Sequence, residues 1–369
     1  MINIVHSVSV MNRAGQETFL MNILRNIDRE RFKFIFLCSL PNVGDYDGEI
    51  KSLGGIISHL PINWLQKVKY LNYLGDIYAY YLYFKRNKQY QIFHIHNYHS
   101  FTTFLSVLGA KLAGVHTIIV HSHNSNAPHP LLHKLFRPIL NLFKIERYAC
   151  SQLASDWMFG KNKNVHIVKN GVNLKKFKFS KLERETLRSR LGISENEFLI
   201  GHIGRFNYQK NHTFLIDIFL EIHKICPEAK LLLLGDGELK NDIEDKVYVF
   251  NLEQSVLFEG IKSNISEYLS AMDLFLFPSL FEGLPVVLVE AQANGLTSVI
   301  SNEISKEVVL SNNIYMESLE RSPKEWANIV LSHKNDGHEI DVKNIKKNGY
   351  DIQNTVSILM EMYSIYNLK

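Results

Sequence analysis

Short apolar runs alternate with helical stretches along almost the whole of this 369-residue chain. In the first half, the pattern predicts strands at residues 2–10, 32–40, 56–61, 92–96, 116–121, 147–151 and 165–168. Helices are predicted between them at residues 16–26, 67–88 and 102–113. After a basic linker, residues 175–181, the same alternation resumes. Its strands are predicted at 198–203, 230–234, 256–258, 274–277 and 298–300, with a helix at 211–225. Such alternation implies parallel sheets covered by helices on both faces.

The length of the chain favours two domains, since each half is large enough to bury its own core. We expect an N-terminal domain at residues 1–174, a second domain at 175–350 and a closing amphipathic helix within 351–369. The composition, 46% hydrophobic and 21% charged, is ordinary for a globular protein. The sequence therefore predicts an α/β fold of two Rossmann-like domains that face each other across a cleft.

Signals for secretion or membrane insertion are not found in the sequence. Met1 is followed by Ile-Asn-Ile-Val-His rather than by a basic segment and a long apolar one, so no signal peptide is expected. No run of about 18 apolar residues is present to span a bilayer. The three cysteines, Cys38, Cys150 and Cys226, lie far apart. Cys38 and Cys150 fall in strand-like apolar runs, and we expect these two to be reduced core residues of a cytoplasmic protein.

Positive charge is concentrated between residues 61 and 180. This segment has sixteen Lys and Arg against three Asp and Glu, a net charge of +13, which leaves −9 for the rest of a chain whose total is +4. Aromatic residues are interleaved with the basic ones, as in proteins that rest on anionic headgroups. We therefore expect contact with an anionic membrane surface. Nucleic acid is the competing partner, but no nucleic-acid-binding motif accompanies the segment; a third interpretation is that many lysines are simply solvated.

Two carboxylates eight residues apart, Glu282 and Glu290, flank a Gly-Leu-Pro turn. A predicted strand precedes the turn, Pro285 suits the first position of a helix, and Gly295 would end that helix. Glu282 then lies in the loop at the carboxyl end of the strand, with Glu290 on the helix beside it. Both could face one crevice, where open α/β sheets bind ligands, and carboxylates there suit the hydroxyls of a ribose or hexose. The alternative is one loop residue and one unrelated surface residue.

The stretch 277–285, continued by 290–295, resembles the signature of retaining glycosyltransferases of family 4, which have the GT-B architecture. The resemblance implies that Glu282 contacts the donor sugar and that Glu290 holds the ribose of the nucleotide. It also implies that the closing helix crosses back onto the N-terminal domain. Two further donor-binding residues expected in the turn are Gly283 and Leu284.

Two cations lie between the strand at 198–203 and the helix at 211–225. Arg205 offers a forked, permanent charge and Lys210 a mobile point charge. At this spacing they can converge on a diphosphate at the next helix N-terminus, where the helix dipole also favours anions. The alternative is a pair of ordinary loop cations. The segment resembles the Gly-Arg…Lys motif of the same family, which implies that Arg205 and Lys210 hold the nucleotide diphosphate.

The loop between the first strand and the first helix, residues 11–18, contains a glycine at Gly15. A glycine here lets the backbone approach a phosphate closely, with helix N–H groups directed at it. Members of the family usually show two glycines, whereas this chain has Ala14 before Gly15. We expect Gly15 to contribute to donor binding.

A glycine pair follows another predicted strand, at Gly235 and Gly237. The pair is half of a dinucleotide-binding fingerprint and does not support NAD binding, because the third glycine is missing. In the fold that the resemblance implies, this turn is expected beside the nucleotide base.

Histidines cluster near the ends of the fourth and fifth predicted strands. His121 and His123 point to the same side if the strand persists that far, and the family has a histidine here that hydrogen-bonds the donor sugar. The resemblance implies this role for His123, with His121 as the second choice. His94 and His96 are expected to be acceptor-side or structural. Zinc is an alternative ligand of a His-x-His pair, but no cysteine or closely spaced acid completes a tetrahedral set, so no metal site is expected.

The resemblance as a whole implies a retaining hexosyltransferase that needs no metal ion and no cofactor, with a UDP-hexose as its substrate. The expected acceptor is a polyprenyl-diphosphate-linked or growing saccharide of exopolysaccharide, capsule or cell-surface glycan synthesis. The expected location is peripheral, at the inner face of the plasma membrane. Two alternatives are a non-catalytic nucleotide-sugar-binding partner, which would be expected to lose one of the two residue pairs, and a sugar-nucleotide epimerase, which needs different acidic bases.

Overall fold

The computed structural model describes residues 1–67, 71–124, 126, 128–161, 163–282 and 284–367. It divides into two compact units. The N-terminal unit comprises Met1–Gly171 together with Ile352–Lys369, and the C-terminal unit comprises Val172–Asp351. The first change of unit falls close to the predicted boundary after residue 174. Each unit is built on its own parallel sheet.

The N-terminal unit has a seven-stranded sheet in the order β3-β2-β1-β4-β5-β6-β7. Its strands are β1 (Ile2–Val8), β2 (Phe32–Cys38), β3 (Ile56–His59), β4 (Ile92–His96), β5 (Thr117–Ser122), β6 (Glu146–Ala149) and β7 (His166–Ile167). Its helices are α1 (Gly15–Asn26), α2 (Asp47–Ser52), α3 (Asn72–Arg86), α4 (Ser100–Leu112), α5 (Pro130–Leu140) and α6 (Gln152–Phe159). All pairings of these strands are parallel.

The C-terminal unit has a six-stranded parallel sheet in the order β10-β9-β8-β11-β12-β13. Its strands are β8 (Leu199–Ile203), β9 (Lys230–Leu234), β10 (Val256–Gly260), β11 (Leu274–Phe277), β12 (Ser298–Ser301) and β13 (Ile314–Glu317). Its helices are α7 (Lys181–Leu191), α8 (His212–Ile225), α9 (Lys240–Val249), α10 (Ile265–Ala271), α11 (Val286–Asn294), α12 (Pro323–Ser332) and α13 (Val342–Lys347). The last helix of the chain, α14 (Ile352–Asn367), packs on α1 in the N-terminal unit.

The strand sequences explain why both sheets are covered on both faces. In β11, Phe275, Leu276 and Phe277 are all fully buried although successive side chains point to opposite faces. A strand that is apolar on both faces needs helices above and below the sheet, which a parallel sheet with crossover helices provides. The predicted α/β class, with two Rossmann-like units, is therefore confirmed.

The long helix predicted before the fourth strand has different bounds in the structure. The helix predicted at 67–88 is wrong at its start, because α3 begins at Asn72 and a separate 3-10 turn occupies Trp64–Lys67. The side-chain amides of Asn63 and Gln66 donate hydrogen bonds to the Gly75 carbonyl and to Asp76, which fixes this turn against α3. Residues 68–70 lie outside the described part of the chain. The predicted linker runs directly into α7, whose N-cap is formed by Ser180.

The structure also bears on the state of the cysteines and on the expected lack of membrane-spanning segments. Cys38 and Cys150 are buried and free, as predicted, and Cys226 is also buried and free. Among the residues that the structure describes, no helix is both long enough and apolar enough to cross a membrane.

A buried charge network fixes α7 to the sheet of the C-terminal unit. Asp273 Oδ2 accepts hydrogen bonds from the Leu199 backbone N–H at 2.7 Å and from Arg188 at 3.1 Å. Its other oxygen accepts from Arg184. Arg188 is 3% exposed and also donates to the carbonyls of Ser194 and Glu197. A charge so well enclosed depends on its partner, because removing one member leaves the other buried and uncompensated.

Replacing Asp273→Ala should therefore lower the free energy of unfolding of the C-terminal unit by about 3–5 kcal/mol. Urea denaturation followed by circular dichroism measures the loss. The control is Glu185→Ala, which removes an exposed ion pair with Lys181 at 3.6 Å and should cost less than about 1 kcal/mol. Equal losses in the two variants would contradict the assignment.

Candidate active site

The order of strands in the C-terminal unit places a crevice after β8 and β11. The chain runs outward from β8 to β9 on one side, while β11 pairs with β8 on the other. This is a topological switch point, and open α/β sheets bind ligands outside the carboxyl ends of such strands. The loop that begins at residue 204 carries Arg205 and Lys210, the loop that begins at residue 278 carries Glu282, and Glu290 lies on the helix after it.

Lys210 and Glu282 form an ion pair between these two loops. Lys210 Nζ lies 2.7 Å from Glu282 Oε1, and the two side chains are 15% and 8% exposed. The ammonium group also lies 4.4 Å from the centre of the Phe277 ring, at the end of β11. Such a cation–π contact stabilises a partly desolvated ammonium group. The sequence-predicted cation and carboxylate are thus in direct contact.

Backbone and side-chain hydrogen bonds hold the same two loops together. The Leu280 N–H donates to the Gln209 carbonyl at 2.9 Å, and the Asn211 side chain donates to the Pro278 carbonyl at 3.1 Å. Asn211 has a left-handed backbone with φ of 56°, a conformation that asparagine tolerates better than most residues. The position of Lys210 is therefore set by the backbone as well as by Glu282.

Arg205 occupies a different environment in the same loop. Its side chain is 70% exposed and lies 3.0 Å from Glu238, in the loop after β9. No hydrogen bond or ion pair joins Arg205 to Lys210, Glu282 or Glu290 in the described part of the chain. An exposed pair of this kind is weak, so the guanidinium is available to an incoming anion.

The glycine pair after β9 has a packing role. A Cβ at Gly235 would meet the Gly204 carbonyl oxygen at 2.0 Å, and a Cβ at Gly237 would meet the Phe206 carbonyl oxygen at 2.4 Å. Gly235 also has a φ of 136°, which L side chains rarely adopt. The glycines let this turn lie directly against the Arg205 loop, which accounts for them without a dinucleotide.

Glu290 lies on α11, whose ends match the sequence signals. Pro285 is the N-cap, and Gly295 ends the helix with a φ of 81°. Glu290 is 7% exposed, and burial raises its pKa to about 7, with Lys176 as a smaller opposing effect. Leu284 is also buried and packs in the core, whereas Gly283 lies outside the described residues.

The N-terminal unit has its own switch point, because β1 lies between β2 and β4. Gly15 begins α1 at this point. A Cβ at Gly15 would meet no atom within 4 Å, so the space above it is open. Ala14 has an extended backbone with φ of −125°, a conformation open to any residue, which explains why alanine is accepted where the family usually has glycine.

Histidines of three neighbouring strands meet at this edge. His121 is fully buried, whereas His123, just after β5, is partly exposed. His96 Nδ1 lies 2.9 Å from His123 Nε2, and His96 Nε2 lies 2.9 Å from His6 Nδ1. Burial lowers the pKa of His123 to about 3, so this ring is neutral at physiological pH and offers a hydrogen bond rather than a charge.

The sequence argument missed two residues at this edge of the N-terminal unit. His6 lies on β1 and completes the row of histidines. The sequence feature that could have identified His6 is its position two residues before the end of a strand. Glu17 lies in the first turn of α1, and burial raises its pKa to about 7. The sequence feature that could have identified it is an acidic residue two positions after the predicted phosphate-binding glycine.

The family of the chain follows from comparisons with known proteins. A family model described as glycosyl transferases group 1 matches residues 183–351. EpsF of Bacillus subtilis (strain 168), which is named as a glycosyltransferase, is 32% identical over 376 residues that cover 98% of this chain and 96% of EpsF. The chain therefore belongs to this glycosyltransferase family, and its resemblance to family 4 is confirmed.

Two further relatives have more specific names. The capsular polysaccharide biosynthesis glycosyltransferase CapH of Staphylococcus aureus is 26% identical over 98% of this chain and 99% of its own length. A UDP-Gal:alpha-D-GlcNAc-diphosphoundecaprenol alpha-1,3-galactosyltransferase of Escherichia coli is 27% identical over 56% of this chain and 57% of its own length. These names describe the relatives.

The solved structures confirm the fold. The structure of Anabaena Alr3699/HepE in complex with UDP and glucose aligns with a TM-score of 0.80 and 19% identity, covering 99% of this chain and all of the other, 100%. The two parallel-sheet α/β units are thus of the GT-B type.

The buried carboxyl of Glu290 should make stability depend on pH. Its pKa is raised from 4.5 to about 7 on folding, so the folded protein holds a proton that the unfolded chain has released. Stability from this group is therefore lost as pH rises from about 4.5 to about 7. The loss relative to Glu290→Gln should approach about 3 kcal/mol.

Urea denaturation of the two proteins across this pH range measures the effect. Glu290→Gln should become progressively more stable than the parent as pH rises. The matched change at the exposed Glu185, to Gln, is the control for general pH effects. Parallel pH profiles for the parent and Glu290→Gln would show that the carboxyl titrates normally in the fold.

Proposed function

We propose that this glycosyltransferase moves a hexose from a UDP-sugar to a polyprenyl-diphosphate-linked or growing saccharide, with retention at the anomeric carbon and without a metal ion. The observation that carries the proposal is the buried contact of Lys210 with Glu282 at the switch point of the C-terminal unit. It brings one predicted phosphate-binding group and one predicted sugar-binding group into a single crevice. The products belong to exopolysaccharide or capsule synthesis, as the name of CapH suggests.

The charge that develops in the reaction explains the two cations. As the glycosidic bond breaks, positive charge grows at the anomeric carbon and negative charge on the departing diphosphate. Arg205 is exposed and weakly paired, so it can turn to the diphosphate, while Lys210 is held near the N-terminus of α8. Preorganised donors of this kind contribute about 2.7–4 kcal/mol each to lowering the barrier. They take the part that a divalent cation plays in other sugar transferases.

The carboxylates would orient the donor. Glu282 Oε1 is bound by Lys210, which leaves Oε2 to accept a hydrogen bond from a hydroxyl of the sugar. Glu290 on α11 would bind the ribose hydroxyls. Its pKa near 7 means that it can accept or donate there, and two hydroxyl partners would compensate its burial.

The N-terminal unit would supply the remaining contacts. His123 is neutral and partly exposed, so it suits a hydrogen bond to a sugar hydroxyl, with the fully buried His121 behind it. The open space above Gly15 would allow close approach of a phosphate. From the resemblance to family 4, we propose that the acceptor attacks from the face that the diphosphate leaves, through a short-lived ion pair.

The relatives support the choice of substrates. The Anabaena protein of the same fold is named as a complex with UDP and glucose, and the Escherichia coli relative is named for a UDP-linked donor and a diphosphoundecaprenol acceptor. By this reasoning the donor is a UDP-hexose and the acceptor is lipid-linked. The protein would then work as a peripheral protein at the inner face of the plasma membrane.

Helix α5 supports membrane contact. Its leucines Leu131 and Leu135 are 81% and 63% exposed, and Leu142, just beyond the helix, is 84% exposed. Lys134 and Lys144 are exposed among them. Apolar side chains with interspersed lysines suit the boundary between anionic headgroups and acyl chains. We propose that α5 is the element that meets the bilayer.

Removing the exposed cation tests the chemistry. Arg205→Ala should lower turnover at least about tenfold, because one donor to the departing diphosphate is lost. The assay follows transfer of hexose from a UDP-sugar to a lipid-linked acceptor. Lys224→Ala, which breaks an exposed pair with Glu221 on α8, is the matched control and should leave turnover unchanged.

Two outcomes of this assay would speak against the proposal. Unchanged turnover in Arg205→Ala would remove the arginine from the mechanism. The parent could also bind nucleotide sugars, as shown by a raised melting temperature, and yet consume none of them. This result would favour the alternative function, a non-catalytic nucleotide-sugar-binding partner.

Membrane contact is tested by flotation with liposomes of anionic lipid at low salt. The double variant Leu131→Ser with Leu135→Ser should float less than the parent, because it loses apolar area at the interface. Leu182→Ser removes a leucine that is 74% exposed on α7 of the other unit and should float like the parent. Failure of the parent to float, or equal loss in both variants, would refute the role of α5.

A further inference from the structure

Five histidines of the N-terminal unit form one buried group, named here the histidine cluster. Its members are His6, His94, His96, His121 and His123. The parallel register sets His6 beside His94 and His96 beside His121. Because side chains alternate along a strand, residues 94 and 96 share one face of the sheet, as do 121 and 123.

Three members of the histidine cluster converge at the end of β4 and β5. His96, His121 and His123 each offer a ring nitrogen, and these nitrogens lie within 4.8 Å of one another. In the described part of the structure, both ring nitrogens of His121 and the Nδ1 of His123 are buried without a hydrogen-bond partner. Buried polar atoms without partners are costly, and an ion shared by the three rings would give one of the two His121 nitrogens a partner.

The surroundings of His96 favour a metal ion as that ligand. His96 Nε2 lies 2.9 Å from His6 Nδ1. If Nε2 donates its proton to His6, the lone pair on His96 Nδ1 is free to point at His121 and His123. A histidine that binds a metal through one nitrogen usually donates its other N–H to a neighbour, which fixes the tautomer and the ring. His6 fills that place.

We propose that His96, His121 and His123 bind one divalent transition-metal ion, such as Zn²⁺, Co²⁺ or Ni²⁺, with His6 orienting His96. Three imidazoles leave a coordination position open for water, as in known three-histidine sites. Imidazole ligands select this class of ion over Mg²⁺ and Ca²⁺, which prefer oxygen. The sequence showed no further ligand near His121 and His123, and zinc was not expected for that reason. In the structure, His96 on the neighbouring strand β4 is placed to be the third ligand.

Binding of the ion can proceed without a change in the number of protons on the three histidines. A neutral imidazole carries one proton and offers one lone pair, so each of the three rings can bind the ion through one nitrogen. Binding replaces the His96–His123 hydrogen bond with two metal–nitrogen bonds. The proton in that bond moves within the imidazole that carries it, from one nitrogen to the other, and no net proton is released.

A second triad, His6, His94 and His96, also has ring nitrogens within 4.8 Å. His6 and His94 are fully buried, and His94 Nδ1 is engaged by the Tyr363 hydroxyl at 2.7 Å. An ion needs a path of entry, and His123 is the partly exposed member of the cluster. We therefore assign the ion to the triad that contains His123.

The inference uses residues of the N-terminal unit alone and does not depend on the proposed sugar transfer. The ion is not required for the diphosphate, whose charge is assigned to Arg205 and Lys210. It would occupy the Nε2 of His123, and we expect saturating Zn²⁺ to inhibit transfer. Metal content and transfer activity are separate readouts, so failure of one proposal is distinguishable from failure of the other.

The test is titration of the full chain with Co²⁺, after EDTA treatment and purification through a tag that contains no histidine. Visible absorption reports cobalt in a histidine site, and elemental analysis gives the stoichiometry. One ion per chain is expected. Affinity should fall at least about tenfold in His123→Asn and His121→Asn, and by about 10–100-fold in His6→Asn, as for other orienting residues.

His94→Asn is the matched control, because His94 belongs to the histidine cluster but not to the proposed triad. It should bind Co²⁺ like the parent. Circular dichroism shows which variants fold, and His123→Asn decides the matter if the fully buried His121 cannot be replaced. Absence of stoichiometric binding by the parent, or loss of binding in His94→Asn but not in His123→Asn, would overturn the assignment.

Discussion

The contact between Lys210 and Glu282 organises the C-terminal unit around its switch point. Both side chains are largely removed from water, and desolvating two charges is unfavourable unless their geometry is good and further partners assist. Here the Phe277 ring supports the ammonium group, and the Leu280–Gln209 hydrogen bond holds the two loops at the required separation. The ion pair is therefore the result of loop geometry fixed by the backbone, and a ligand arriving there meets charges already in place.

The C-terminal half of the site was largely predictable because its signals are local. Pro285 and Gly295 bound α11 as their backbone preferences require, and the loop position of Glu282 followed from the apolar run before it. What could not be predicted is pairing through space. Nothing near Arg205 in the sequence points to Glu238, which reaches it from the loop after β9. Even the glycines of that turn, Gly235 and Gly237, are explained by the backbone of Gly204 and Phe206, each of which lies thirty-one positions earlier.

In the N-terminal unit, too, the arrangement of the histidines could be predicted from the sequence only in part. The period of two along β4 and β5 places alternate histidines on one face, and this much is visible in the sequence. That the rows stand side by side depends on strand order, because β1 pairs with β4 and β4 with β5. His6 was overlooked for this reason, although it contacts His96 directly. Likewise the bounds of α3 depend on Asn63 and Gln66, whose side chains stabilise a separate turn that hydrophobic period does not reveal.

Burial shifts the pKa values of the carboxyl groups and of the histidines in opposite directions. It raises the pKa of a carboxyl, as at Glu290, and lowers that of a histidine, as at His123, so both groups tend to be neutral inside the fold. Arg205 is exposed to solvent and Lys210 is paired with a carboxylate, so neither cation is buried without a partner. In the roles proposed above, the two cations would meet the charged part of a ligand, while the neutral groups would meet hydroxyls or a metal. The difference between charged and neutral groups follows from their solvation alone, before any substrate is bound.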